Sequence, residues 1–177
     1  MVERWAEKLA LTLKRANPDE TASVEVMKFS LAIILNFLAV TVLSLLISSI
    51  FHTAKGTAIA MIGFALLRAV SGGVHLPASE WCIAVSTLIF VTIPHLPITE
   101  IWCIILTVAS LGLVLLFAPS RIEKQSRIPK TYYPALKAAS GFIVALNFVF
   151  MSSDLAAAFF IQSLLLIKLK FPKSSHA

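Results

Sequence analysis

The sequence predicts an all-α, polytopic integral-membrane protein, with about six transmembrane helices behind an N-terminal amphipathic helix that lies at the interface. Three observations carry that expectation. Of 177 residues, 58% are hydrophobic and 14% charged, too little charge to cover a soluble domain of this length. The apolar residues are gathered into long runs, which speaks against the alternative of an unusually apolar soluble bundle. The basic residues flank those runs instead of forming a compact motif with interleaved aromatics, so nucleic acid is not an expected partner. Gly and Pro, 6 and 8 in number, are too scarce for a disordered chain.

The elements follow in order. MVERWAEKLALTLKR reads as an amphipathic helix and not as a signal peptide: Glu3 and Glu7 are acidic, and the first long apolar run starts only near Met27. Val2, Trp5, Leu9 and Leu13 fall at helical spacing, with charges on the other faces, and NPDE at 17–20 ends the segment. The expected place of this helix is the headgroup level, with contact to substrate or a second subunit as the alternative. Met27–Ile50 is the clearest span, with Lys28 at its end as the one charge. Shorter runs follow over Gly56–Leu67, closed by Arg68, and from Trp81 to about Ile93, where PHLP at 94–97 breaks the helix. Ile101–Ala118, about Leu136–Met151 and Leu155–Ile167 complete the set, the last two separated by SSD at 152–154. The shorter runs are also compatible with re-entrant half-helices.

Charge asymmetry tests the count. With the N-terminus inside, fourteen of the fifteen Lys and Arg fall on cytoplasmic segments and only Lys55 falls outside. The cytoplasmic set is Arg4, Lys8, Lys14, Arg15 and Lys28; Arg68; Arg121, Lys124, Arg127, Lys130 and Lys137; and Lys168, Lys170 and Lys173. That split favours six spans with both termini cytoplasmic in a multi-pass cell-membrane protein. The organisation expected is a single domain over 1–177, with a cytoplasmic amphipathic segment at 1–25 and a basic cytoplasmic loop at 119–137.

One stretch at the expected cytoplasmic face carries chemistry: RAVSGGVHLPASEWC, Arg68 to Cys82. His75 and Cys82 are seven residues apart. On one straight helix they would share a face but stand about 10.5 Å apart, beyond proton-transfer reach. A catalytic pair therefore requires a break. Gly72 and Gly73 tolerate left-handed backbone, and Pro77 stops or starts a helix. The spacing predicts a loop through about residue 78 and a fresh helix near Ser79, with Ser79 as N-cap and Cys82 in the first turn, where the helix dipole favours a thiolate. His75 would take the thiol proton, Arg68 would hold a carboxylate or developing negative charge, and Glu80 would orient the histidine or serve as a solvated first-turn acid. The plainer alternative is a histidine and a cysteine that merely sit at a membrane turn, with GG as a packing feature.

Arg68, Gly72-Gly73-Val74-His75 and Ser79 followed by Cys82 resemble the accessory gene regulator B (AgrB) family of integral-membrane cysteine peptidases. Chain length, the hydropathy pattern over essentially the whole chain and a basic stretch after Ala118-Pro119 support the resemblance; the continuation SRIEKQSRIPK does not align with the family's pattern, and no site role is carried to it. The resemblance implies that Cys82 is the nucleophile and His75 its base. It implies removal of the C-terminal tail of a short amphipathic (AgrD-like) precursor peptide at the cytoplasmic face through an acyl-enzyme, which in quorum-sensing members is resolved into a thiolactone or lactone ring. Two features suit such a peptide on their own account. The 121–137 segment has five basic residues against Glu123, which fits an acidic tail or anionic lipid, though topology alone also explains it. The N-terminal helix lies where an amphipathic precursor would lie.

The other polar residues read more plainly. Cys103, inside IWCIILTV, is a small hydrophobe. A Cys82–Cys103 disulfide has no use if Cys82 faces a reducing cytosol. His52 and His95 fall on the outer side, and His176 in a loose tail. No metal-ligand spacing and no phosphate-binding glycine loop is present, so neither a metal nor another cofactor is expected. Asn36, Asn147 and Gln162 lie within spans, where interhelical hydrogen bonds are a commoner use than substrate binding. The small chain suits a homodimer. The competing function is a non-enzymatic peptide exporter or scaffold.

Overall fold

The computed structural model describes residues 2–18, 20–73, 79–120 and 129–167. Among the described residues the regular structure is helical: α1 (Val2–Ala16), α2 (Val24–Ile50), α3 (Ala54–Ser71), α4 (Ser79–Thr92), α5 (Glu100–Phe117), α6 (Tyr133–Ala145), α7 (Asn147–Phe150) and α8 (Ser153–Leu164), with 3-10 turns at Ile93–His95 and Lys130–Tyr132. Four helical segments are long and apolar enough to cross a membrane: Val24–Ile50, Ala54–Ser71, Glu100–Phe117 and Tyr133–Phe150. Two more, Glu80–His95 and Ser153–Leu164, are apolar but shorter. The six runs expected as spans are thus six apolar helices, of which four have spanning length. An 18-residue helix rises about 27 Å, close to the ~30 Å hydrocarbon core; a 12-residue helix rises only about 18 Å.

The surface argues for lipid in the same terms. Phe29 (61% exposed), Phe37 (57%) and Leu46 (60%) project from α2 without a protein partner to cover them. Water would oppose so much open apolar area, whereas acyl chains welcome it. α2 starts at Val24, three residues before the expected Met27, because the Ser23 side chain accepts from the Val26 N–H and so caps the helix.

The described residues group into two compact units. The first holds residues up to Ala58 and α4 with its 3-10 turn to His95; the second holds Ile59 to Gly73 and the described residues from Leu96 onward. In the first unit α1 packs on α2. It does so through its small residues, Ala6 and Ala10, both fully buried. Trp5, Leu9 and Leu13 of the apolar stripe stay exposed, a face left open for the interfacial position expected of this helix. Lys28 of α2 closes the contact with an ion pair to Glu7 at 2.8 Å. Farther along α2, Ser48 Oγ and Thr57 Oγ1 share a 2.7 Å hydrogen bond, and Thr57 donates to the Phe90 carbonyl of α4 at 3.2 Å. The turn at PHLP is the 3-10 segment, where His95 stacks edge-on against Phe51 with centroids 5.8 Å apart.

The second unit has its own core, Leu67, Val114, Ala118, Val144, Phe159 and Leu166, with Leu111, Ile143 and Leu155 packed against it. Glycine sets the spacing at one contact: a Cβ on Gly63 of α3 would run into the Leu155 side chain of α8. The SSD turn is a left-handed Met151 (φ 47°) followed by Ser152, whose hydroxyl caps α8 by accepting from the Leu155 N–H at 3.3 Å.

Candidate active site

The break required between Arg68 and Cys82 is present. α3 ends at Ser71 and α4 begins at Ser79. Gly72 has φ +74°, and its N–H donates to the Arg68 carbonyl at 2.9 Å, so the glycine closes α3 in the left-handed conformation that other residues avoid. Gly73 follows at φ +131°. Its N–H donates to the Ser120 carbonyl at 3.0 Å, while the Ser120 N–H donates to the Ser71 carbonyl at 2.9 Å. These two bonds tie the end of α3 to the residue after Pro119.

Gln162 of α8 completes that junction. It is fully buried. Its Nε2 donates to the Gly72 carbonyl at 2.7 Å and to Ser71 Oγ at 3.2 Å, and its Oε1 accepts from Arg68 Nη1 at 3.2 Å. Arg68 is partly buried, with its guanidinium 5.8 Å from the Phe64 ring centre. A Cβ on Gly73 would stand 3.4 Å from both Arg68 Nη1 and Gln162 Nε2, an ordinary contact distance, so the positive φ and not lack of space favours the second glycine. The double glycine thus closes α3 by its backbone conformation, at a junction where Arg68 bonds to an amide of α8.

Cys82 belongs to the first unit. It is the fourth residue of α4 and half-buried. Ser79 is the first helical residue, one position inside the N-cap place expected for it; the next residue, Glu80, is an exposed acid in the first turn, where it complements the positive end of the helix. Among the described residues the Cys82 sulfur has two polar neighbours. Asn36 of α2 donates its Nδ2–H to Sγ at 3.6 Å, and Ser86 Oγ, one turn along α4, lies 4.0 Å from it. Asn36 Oδ1 is buried without a hydrogen-bond partner. Beside this helix an apolar groove of about 510 Å³ opens along Leu43, Ile47, Glu80, Ile83, Ala84, Thr87, Leu88 and Val91.

His75 lies outside the described residues, as does Pro77, and so does 121–128 of the basic stretch. Cys103 is buried at 2% exposure, and both cysteines are free. Among the described residues no three His, Cys, Asp or Glu side chains gather as a metal site would need. Sequence reasoning placed Asn36 and Gln162 among ordinary interhelical amides. Gln162 does bond between helices, but to the end of α3 beside Arg68; Asn36 bonds to the candidate nucleophile. The signal that singles them out is their class: an amide inside an apolar run is costly unless its partner is specific.

The model of the family described as "Accessory gene regulator B" matches residues 2–171. An AgrB-like protein of Halalkalibacterium halodurans is 29% identical over 153 residues, covering 86% of this chain and 77% of its own length. An accessory gene regulator protein B of Staphylococcus aureus is 34% identical over 100 residues, 51% of this chain and 52% of its own length. No solved structure matches this chain. With a family match running from α1 past the end of α8, this helical membrane protein belongs to the accessory gene regulator B family.

Proposed function

We propose that the protein is an integral-membrane cysteine endopeptidase that removes the C-terminal tail of a short amphipathic precursor peptide at the cytoplasmic membrane face. The observation that carries this reading is the setting of Cys82: a half-buried thiol in the first turn of a helix that restarts after a glycine-terminated one, with an amide donor on its sulfur. Family membership supports the same chemistry.

In this reading His75 takes the thiol proton and the Cys82 thiolate attacks the scissile carbonyl. The tetrahedral intermediate collapses, the C–N bond breaks, and the proton passes from His75 to the departing amine of the tail. The peptide remains as a thioester on Cys82. A cysteine or serine side chain of the peptide then attacks that thioester, frees the enzyme thiol and closes a thiolactone or lactone ring. Arg68 and the basic stretch after Pro119 suit an acidic tail, and a quorum-sensing signal is the product class this implies. Both termini are assigned to the cytoplasm on the charge asymmetry, and the working assembly is a homodimer.

The test uses a tagged precursor peptide co-expressed in membranes. Cys82→Ser and His75→Ala each abolish tail removal while the protein still inserts. Normal processing by either variant sinks the proposal and leaves an exporter or scaffold as the function. Crosslinking in native membranes that yields only monomer removes the dimer.

A further inference from the structure

We propose that Asn36 is a third catalytic residue of the Cys82 site: its side-chain amide, presented by α2, holds the sulfur in its charged, attacking form. The inference rests on the reading of Cys82 as nucleophile.

The argument starts from cost. Position 36 lies in an uninterrupted apolar stretch, LAIILNFLAV over residues 31–40. An amide there has two polar ends to satisfy, and a polar group taken out of water without partners costs about 1–3 kcal/mol. Asn36 satisfies neither end in an ordinary way. Its Oδ1 is buried and unpartnered, and the described bond of its Nδ2 is the one to Cys82 Sγ at 3.6 Å. A neutral thiol is a weak acceptor and does little to offset that cost. A thiolate is different, because hydrogen bonds to an ionised partner are roughly twice as strong as neutral ones. The pairing of Asn36 with Cys82 therefore gains most when the sulfur is charged.

The surroundings point the same way. Ser86 Oγ stands 4.0 Å from the same sulfur, and either atom can act as donor. With a neutral thiol the hydroxyl is free to accept; with a thiolate it turns its proton toward sulfur. The charged form thus has a donor from α2, a donor from α4 and the positive end of the α4 dipole.

The experiment uses the full-length chain in membranes with Cys103→Ala, which leaves Cys82 as the one thiol of the two in the sequence. The rate of Cys82 alkylation by iodoacetamide is followed against pH, alongside tail removal from a tagged precursor. Asn36→Ala moves the rise in alkylation rate to higher pH. It slows tail removal at neutral pH by about 10- to 100-fold, the worth of one hydrogen bond to a charged group. Asn36→Asp, equal in size but carrying a charge of the same sign as the thiolate, moves the profile farther in the same direction.

Profiles of both variants that superimpose on the parent's, in protein inserted to the same level, overturn the proposal. So does a loss of processing with an unmoved profile, which is what a merely structural defect produces. Cys82→Ser run in parallel judges the underlying reading separately: tail removal that survives it defeats the peptidase assignment, whereas the alkylation profile judges Asn36 alone.

Discussion

The two cysteines receive the same contact and differ in what surrounds it. Asn36 Nδ2 donates to Cys82 at 3.6 Å; Asn147 Nδ2 donates to Cys103 at 3.7 Å. At Cys103 the amide is complete. Asn147 also donates to Thr107 Oγ1 at 2.9 Å and to the Ser152 carbonyl at 3.2 Å, and its Oδ1 accepts from the Ser152 N–H at 3.1 Å. The sulfur is one neighbour among several in a network that fastens the turn before α8 to α5. At Cys82 the amide has sulfur on one end and, among the described residues, no hydrogen-bond partner on the other. Polar groups in an apolar setting can close on each other, and then they are structure. Where their bonds stop at a thiol, as at Cys82, they suit the chemistry proposed above.

The comparison predicts which substitutions register as stability and which as activity. Asn147→Ala removes the hub of a closed network and strands Ser152 and Thr107, costing about 2 kcal/mol in thermal unfolding in detergent. Asn36→Ala, which deletes an already unpaired oxygen, costs far less, and equal losses for the two would break the contrast. A smaller cost, about 1–2 kcal/mol, attaches to Gly73→Ala, since φ +131° strains any side chain. The same unfolding measurement checks it, and a neutral result would mean that the α3 junction is loose.

The smallest effect belongs to the first unit's surface. The Lys28 ammonium holds the Glu7 carboxyl below the usual glutamate range, first by their hydrogen bond and then by charge. Because the folded value is the lower one, the pair's contribution is present above the free glutamate range and is lost as pH falls through the folded value. Both side chains are largely in solvent, so the effect is weak. Limited proteolysis of α1 should quicken on acidification, and Glu7→Gln should abolish that pH dependence.

Much of this was legible in the sequence. Run lengths and flanking charges located six apolar helices, and GG with Pro77 announced that α3 could not continue into α4. The rotations of the helices were not legible. α2 is apolar on every side, so no periodic stripe says which face meets α4, and the pairing of Asn36 with Cys82 across 46 positions depends on that rotation. In α1 the apolar stripe was legible, but nothing in the pattern marked Ala6 and Ala10 as the residues to be buried. Gln162 reached its role only through the α3 terminus, which lies 90 positions away in the chain.

The shortness of α4 has a consequence for the bilayer itself. Fourteen residues rise about 21 Å, well short of the hydrocarbon thickness of about 30 Å. If one end of α4 sits at the headgroups, the other stops inside the acyl region unless the leaflets thin toward it. Accommodation costs a fraction of a kcal/mol for each ångström of mismatch. Membrane thickness, and hence acyl-chain length and sterol-like ordering, becomes a variable that sets how deep α4, with Cys82 in its first turn, rides in the bilayer.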